Sequence, residues 1–259
     1  MSGQVGGFGG DEVQEESSWA YPLAVLLATL VLSGVFLYYY LGPGLDDIAG
    51  DTPKPTISDE PVLITVGDET FQIPVNHTVY PRARRDGPRE SVSLYALWPN
   101  LSPYTPARRL DFIENAPDTR RIDIVIERNK ALLTEAQRFE KILLPLTVDP
   151  EGQPTPFGLT SYSFRDRRPD TPLNGYRNED LYVDKREDDE VVVIRCLQLG
   201  PDMQSPFCRR DLALTDGVSV SYLFKRVYLP QWRGIDEAVQ TFVGELRTEP
   251  APETAGLAR

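Results

Sequence analysis

The chain carries one histidine, His77, which is the only imidazole that could serve as a general base. A serine hydrolase would have to use it, yet the sequence contains no Gly-x-Ser-x-Gly motif and no segment that identifies an oxyanion hole. A histidine acts as a general base only when its ring is positioned toward a substrate, so its presence alone is weak evidence for catalysis. We predict that His77 is a loop or strand-edge residue with a local hydrogen bond, and we predict no catalytic residue.

The two cysteines, Cys196 and Cys208, are separated by eleven residues. A disulfide closes a loop of this size easily and would stabilise the domain by about 3 kcal/mol, mainly by restricting the unfolded chain. An isolated pair is typical of an oxidising compartment. The sequence therefore predicts a Cys196–Cys208 disulfide, with two unrelated thiols in a cytosolic domain as the alternative.

Metal and cofactor sites have little support in the composition. A zinc site takes three or four protein ligands, mostly cysteine and histidine, and this chain has one histidine and two cysteines. The acidic run 187–190 is a candidate for a divalent cation, with Glu179, Asp180 and Asp184 nearby. Its residues are contiguous and lack the glycine bend of a calcium loop. We therefore predict a solvated hairpin turn there, no metal and no cofactor.

Four arginines lie in one loop that contains proline and glycine: Arg82, Arg84, Arg85 and Arg89. Guanidinium groups bind carboxylates and phosphates through paired hydrogen bonds. The loop is therefore a candidate contact for an anion or for an acidic partner. The alternative is ion pairing on the surface of an acidic domain, which contributes little to stability.

Three aromatic residues near prolines, Tyr95, Trp98 and Tyr104, are a second candidate for a binding face, toward a partner or a glycan strand. The segment from Ser91 to Trp98 alternates like a strand, in which Trp98 shares a face with Val92. That face is expected to point inward, so we predict that Trp98 is a core residue.

An apolar segment precedes the elements that must position these residues. Residues 21–41 carry no charge, and 17 of these 21 residues are apolar or aromatic. As a helix they would span roughly 30 Å, the thickness of a bilayer core. A buried core helix and a cleaved signal peptide are the alternatives, but the preceding segment is acidic and lacks the Lys and Arg of a signal peptide. We predict an uncleaved transmembrane helix over residues 19–41 that contacts the lipid bilayer.

The chain has 259 residues and a net charge of −12, which argues against a nucleic-acid partner. Its composition predicts five segments: a disordered acidic tail (1–18), the transmembrane helix (19–41), a Pro/Gly linker (42–61), a soluble domain (62–247) and a disordered tail (248–259).

Within the domain, hydrophobic periodicity predicts mostly strands. The expected strands are residues 62–66, 70–74, 91–98, 122–127, 158–164, 180–184, 190–197 and 218–224. One helix is expected around a capping box of Thr134 and Gln137, with Leu132 on its apolar stripe, and another from Pro230 to Arg247. Strands in hairpins with two helices indicate an α+β fold with an antiparallel sheet, preceded by one transmembrane helix.

Several stretches together resemble single-pass envelope proteins of proteobacteria: the anchor, 66–76, 94–99 and the ending 220–233. The resemblance implies a location and no activity. Combined with the disulfide, it predicts an inner-membrane protein with a short tail inside and a large C-terminal domain outside the cytoplasm. The reverse orientation stays open. The positive-inside rule counts Lys and Arg near the helix ends, and Lys54 is the only such residue within twenty positions, so the rule hardly discriminates between the two orientations.

These features favour a non-catalytic accessory or interaction protein of the envelope, such as a subunit of a membrane complex, with a protein partner of unknown identity. An immunity or inhibitor protein would have the same features. Two alternatives stay open, namely a membrane-tethered hydrolase and a sensor domain that binds an anion at the arginine loop.

Overall fold

The computed structural model describes residues 19–41, 44–165, 178–185, 190–200 and 203–248. It divides into an N-terminal unit, which ends at Ala49, and a domain that begins at Gly50. The N-terminal unit contains α1 (Ala20–Leu41) and the short helix α2 (Leu45–Ala49). The segment Ala20–Tyr40 of α1 is long and apolar enough to cross a membrane. By length and composition it fits a membrane anchor or a signal sequence.

The domain has the predicted α+β fold, with a large antiparallel sheet. Its strands are β1 (Pro61–Val66), β2 (Glu69–Pro74), β3 (Gly87–Arg89), β4 (Ser91–Leu97), β5 (Arg121–Arg128), β6 (Gln153–Pro154), β7 (Thr160–Ser163), β8 (Glu179–Lys185), β9 (Val191–Leu197), β10 (Phe207–Ala213) and β11 (Val218–Lys225). Its α-helices are α3 (Arg109–Ile113), α4 (Glu135–Arg138) and α5 (Trp232–Leu246). Eight of these strands form one sheet in the order β4-β5-β11-β10-β9-β8-β7-β6, and β2-β1-β3 form a smaller one.

Three strands, β3, β6 and β10, were not predicted from the periodicity. In β10 three charged residues in a row, from Arg209 to Asp211, interrupt the apolar alternation, and pairing with β11 along the whole strand supports it instead. β3 pairs in parallel with β1, with Ile64 opposite Gly87, so the small sheet is mixed rather than antiparallel. β3 depends on its pairing with β1 and β10 on its pairing with β11, and the periodicity of a single segment shows neither pairing.

The helix predicted around residue 136 begins later than its apolar spacing suggests. Thr134 Oγ1 accepts from the Gln137 N–H at 3.2 Å, and Gln137 Oε1 accepts from the Thr134 N–H at 3.3 Å, so the capping box is confirmed. Because the box starts the helix at Thr134, Leu132 lies outside it and is 97% exposed. The placement of Leu132 on the apolar stripe is therefore wrong. α4 continues directly into one π-helical turn, Phe139–Leu143.

The main core lies between one face of the large sheet and α5 together with β1 and β2. Ile124 of β5 and Tyr222 of β11 point into it from the sheet, and Trp232 and Val239 point into it from α5. α5 confirms the predicted helix and buries one apolar stripe, with Phe242 at the edge of the core; the buried apolar residues are Trp232, Ile235, Val239, Val243 and Leu246. Each large side chain buried in this way contributes about 1.5–3 kcal/mol.

The opposite face of the large sheet carries two smaller apolar clusters. One joins Phe139, which follows α4, to Leu181 of β8. The other joins Tyr95 of β4 to Phe112 of α3. Polar side chains of β9, β10 and β11 reach this face near the first cluster, and the segment 128–138 passes over them. The result is a polar groove over the sheet.

The outer edges of the large sheet are occupied or short. At the β4 edge the Val79 N–H donates to the Ser93 carbonyl at 3.1 Å, and Leu97 exchanges two backbone hydrogen bonds with Ser102. At the other edge β6 is two residues long and includes Pro154, which has no N–H to offer.

Segment 50–60 belongs to the domain, although its composition predicts part of a linker over 42–61. The Lys54 N–H, for example, donates to the Val79 carbonyl at 3.1 Å. Local hydrogen bonds thus place the start of the domain earlier than residue 62. Outside the described residues lie the predicted tail 1–18 and residues 249–259 of the predicted tail 248–259. Thr248 itself is described, and its N–H donates to the Thr70 carbonyl at 2.9 Å.

Candidate interaction site

His77 is buried and is not available to a substrate in solution. Its exposed fraction is 6%, and its Nδ1–H donates to the backbone carbonyl of Tyr95 at 3.1 Å. The ring packs on Phe242 with 4.9 Å between ring centroids. Burial lowers the pKa of the imidazole, so the neutral form is favoured near pH 7. His77 therefore makes a hydrogen bond that is distant in sequence, and not the predicted local one.

The arginine loop is largely engaged within the domain. Arg84 donates to the backbone carbonyl of Lys54, and Arg82 pairs with Asp51. Arg85 is exposed. The loop thus holds the first residues of the domain in place. Its role in binding an anion or partner stays a prediction.

The candidate aromatic face is not formed. Tyr95 and Tyr104 are buried and pack edge-on against Phe112, with ring centroids 4.9 Å and 5.4 Å away. Trp98 is half-buried and packs against the main core. Residues 187–189 of the acidic run lie outside the described residues. Within the described part of the chain, no group of three or more His, Cys, Asp or Glu is placed to hold a metal ion.

The structure contains the predicted disulfide between Cys196 and Cys208. The two residues lie directly opposite each other in β9 and β10, and both are fully buried. The bond therefore joins neighbouring strands of the sheet. The sequence predicts the pairing but gives no sign of this arrangement, because β10 itself lacks the alternation of a strand.

A buried lysine and serine lie in contact, as in hydrolases that use a serine–lysine pair. The Nζ of Lys225 donates to Ser205 Oγ, to the Ser205 carbonyl at 3.2 Å and to Asn115 Oδ1. Burial lowers the pKa of Lys225. A base would have to be neutral and accept a proton, whereas three acceptors surround this amine and match the three donors of an ammonium group. The contact is best explained as a structural link between β11 and its neighbours.

The large sheet splits between β9 and β10. Pairing stops after Arg210 and Ile194, and the next amide of β9, the Val193 N–H, donates to Glu135 Oε1 at 2.6 Å. Glu135 stands in the first turn of α4, where the helix dipole favours an acidic side chain. The start of α4 is thus fixed in the split.

A buried charge network runs from this split to the main core. The guanidinium of Arg210, which is 6% exposed, lies 3.7 Å from Glu135 Oε2 and forms an ion pair with Asp236 of α5. Asp236 also accepts from the Tyr222 hydroxyl at 2.8 Å and from Gln240 Nε2 at 3.0 Å. Two carboxyl groups therefore share one buried cation.

This arrangement raises the pKa of Glu135 from 4.5 to about 7, chiefly through burial and against the attraction of Arg210. Because the folded pKa exceeds the unfolded one, the folded domain binds this proton more tightly. The resulting stability is complete below pH 4.5 and is lost as the pH rises through about 7. The groups that face the carboxyl are the Arg210 guanidinium, the Val193 N–H and the carboxylate of Asp236.

We therefore expect Glu135→Gln, which mimics the protonated form, to match the wild type below pH 4.5 and to exceed its stability at pH 8. The expected gain is on the order of 1–3 kcal/mol. Urea unfolding at several pH values measures it, with Glu140→Gln, an exposed change nearby, as the control. A constant difference between wild type and variant at all pH values would contradict the raised pKa.

The polar groove has a volume of about 580 Å³ and lies beside the split. Asp211 at its base accepts from Arg209 Nε at 2.7 Å and from Arg195 Nη2 at 3.2 Å, while Arg138 Nη1 lies 3.8 Å away. Among the described residues, five cationic and four acidic side chains line the groove. It is thus slightly positive, on a chain whose net charge is −12. A groove of this size accepts a few side chains or a small ligand.

No protein-family model and no curated protein sequence matches this chain. Two solved structures resemble it. An immunity protein of the Stenotrophomonas maltophilia type IV secretion system is 21% identical, with a TM-score of 0.52 over 74% of this chain and 95% of that one. The chain shares the fold of that immunity protein. The iron-regulated outer membrane lipoprotein FrpD of Neisseria meningitidis is 17% identical, with a TM-score of 0.47 over 75% and 96% of the two chains.

The groove and the buried network cannot be found from periodicity, because their members come from separate segments. One signal was available in β10, where Arg210 follows Cys208 at the two-residue spacing of one strand face. An arginine on the face of a buried cysteine requires a buried acidic partner. The identity of that partner, Asp236, depends on how α5 packs.

Proposed function

We propose that this chain is a membrane-anchored, non-catalytic envelope protein that acts by binding another protein through its C-terminal domain. The observation that carries the proposal is α1, an apolar helix of bilayer length at the N-terminal side of a folded domain. The fold shared with a secretion-system immunity protein agrees with a role in binding a protein.

We further propose an inner-membrane location with the domain outside the cytoplasm. A buried disulfide favours an oxidising compartment, and the resemblance to proteobacterial envelope proteins supports the same location. In this orientation the short acidic tail stays inside. The partner would then be another envelope protein, and the pair would form a membrane complex.

The two alternatives have less support. A hydrolase with an imidazole base would need an accessible histidine, and the single histidine is buried with its ring on Phe242. A sensor at the arginine loop would need uncommitted guanidinium groups, whereas Arg82 and Arg84 hold the start of the domain.

We expect the full-length chain to require detergent for release from native membranes, and a stoichiometric protein partner to co-purify with it. Leu27→Arg together with Leu30→Arg should abolish membrane retention, because each charge at the centre of a spanning helix costs about 2.5–3.5 kcal/mol. The same two positions changed to Ala serve as the control.

Intact mass of the purified protein separates an anchor from a signal sequence. A chain that ends up soluble and cut after α1 would contradict the anchor. An intact chain that carries no partner, as a monomer or as a homo-oligomer, would contradict the role in a complex.

A further inference from the structure

The groove contains guanidinium donors that the domain itself does not use. The Nε–H of Arg209 donates to the Asp211 carboxylate. Arg138 Nη1 lies 3.8 Å from the same carboxylate, which is too far for a hydrogen bond. The side chains of Arg209 and Arg138 are 43% and 39% exposed. No other ion pair engages either of them within the described part of the chain. Their terminal N–H groups therefore point to a ligand position or to water.

An apolar side chain lies on the rim of the same groove. Leu132 is 97% exposed, because the capping box at Thr134 keeps it out of the helix. A single exposed leucine is ordinary on a protein surface. Leu132, however, lines the groove with Arg138 and Arg209, and arginine next to an apolar anchor is typical of protein interfaces.

We propose that this groove binds an acidic segment of the protein partner, whose carboxylates pair with Arg138 and Arg209 while a neighbouring apolar side chain covers Leu132. This inference rests on the proposed function and identifies the surface and the charge of the partner. The terminal N–H groups of Arg138 and of Arg209 can each donate a pair of hydrogen bonds to a carboxylate of the partner.

Charge complementarity favours an acidic segment over a basic one at this place. In the described part of the chain the groove carries five cationic side chains against four acidic ones. Glu135 is one of the four, and its raised pKa of about 7 reduces the negative charge further. The chain as a whole is strongly acidic. An acidic segment would therefore be repelled by most of the surface of the domain and attracted to the groove. This difference would determine where and in which orientation the partner binds.

Site-specific cross-linking in the full-length chain tests the proposal. A photoreactive p-benzoylphenylalanine replaces Leu132 in one variant, and exposed Val227 or Ile57 in two control variants. After irradiation of native membranes, mass spectrometry identifies the partner peptide attached at each position. We expect cross-linking at position 132 at least tenfold above both controls, to a peptide with an excess of Asp and Glu.

Two charge variants then examine the role of the arginines. Arg138→Gln with Arg209→Gln should lower the cross-link at position 132 at least tenfold. The matched control is Arg85→Gln with Arg109→Gln, two exposed arginines without an ion pair in the described residues, and it should leave the cross-link unchanged. Equal melting temperatures of both variants show that the domain still folds.

The outcomes separate this inference from the proposed function. A partner that cross-links at Val227 or Ile57 and not at position 132, or through a basic peptide, would overturn the groove while the binding role stands. Loss of the cross-link in the Arg85–Arg109 variant alone would overturn the assignment of the charged contact to Arg138 and Arg209. No cross-link and no co-purified protein would overturn both.

Discussion

Replacing Asp236 by alanine is expected to destabilise the domain by about 3–5 kcal/mol, because it leaves the buried Arg210 cation without its main partner. The same change removes the acceptor of the Tyr222 hydroxyl, which is fully buried. An unsatisfied hydroxyl inside the core costs about 1–3 kcal/mol by itself. Glu135 remains, but it lies 3.7 Å from the guanidinium and carries a charge only above about pH 7.

Urea unfolding at pH 7 measures this loss. The neighbouring change Glu237→Ala, on the exposed side of α5, should alter stability by less than about 0.5 kcal/mol and controls for helix propensity. A double variant, Arg210→Met with Asp236→Leu, should lose less than Asp236→Ala alone, because it removes both charges together. A single variant that loses less than about 1 kcal/mol would show that the network is not a stabilising element.

Removing the disulfide is the second large effect that we expect. The twelve-residue separation of Cys196 and Cys208 predicts a loss of about 3 kcal/mol from the greater freedom of the unfolded chain. The effect should be concentrated where β9 meets β10, because these strands pair over three residues only before the sheet splits. Opening of the sheet should therefore begin at this place.

Two measurements examine the disulfide. Cys196→Ala with Cys208→Ala should lower the midpoint of urea unfolding, and reduction of the wild type by dithiothreitol should lower it by a similar amount. Hydrogen exchange should then accelerate in β9 and β10 and not in β1 and β2, which pair over six residues. Equal midpoints for the oxidised and reduced wild type would contradict the prediction.

The elements that follow from local patterns could be predicted from the sequence. The β1–β2 hairpin, the capping box at Thr134 and the buried stripe of α5 each depend on residues within a few positions of one another. The pairing of β5 with β11 could not be predicted, since Ile124 and its neighbour Tyr222 are 98 positions apart in the sequence. Hydrophobic periodicity marks a buried face but not the strand that lies beside it.

The candidate site shows the same division. The sequence drew attention to clustered arginines at 82–89, which the structure uses largely to attach the first residues of the domain. The groove instead gathers Arg138, Arg195 and Arg209 from α4, β9 and β10. No short sequence motif contains these three arginines, because their segments come together only when the sheet forms. His77 illustrates the reverse case, a chemically capable residue that folding removes from solvent.

The protected edges of the large sheet affect whether neighbouring copies of this protein can associate through their strands. In the membrane-anchored form that we propose, copies of the chain would diffuse in two dimensions and collide often, and an open β edge would then pair with strands of neighbouring copies. Here the β4 edge is already paired with Val79 and Ser102, and β6 ends in Pro154. Copies of the domain should therefore reach a high local concentration without forming a continuous intermolecular sheet. The faces of the sheet, and not its edges, are then the surfaces that can bind a partner.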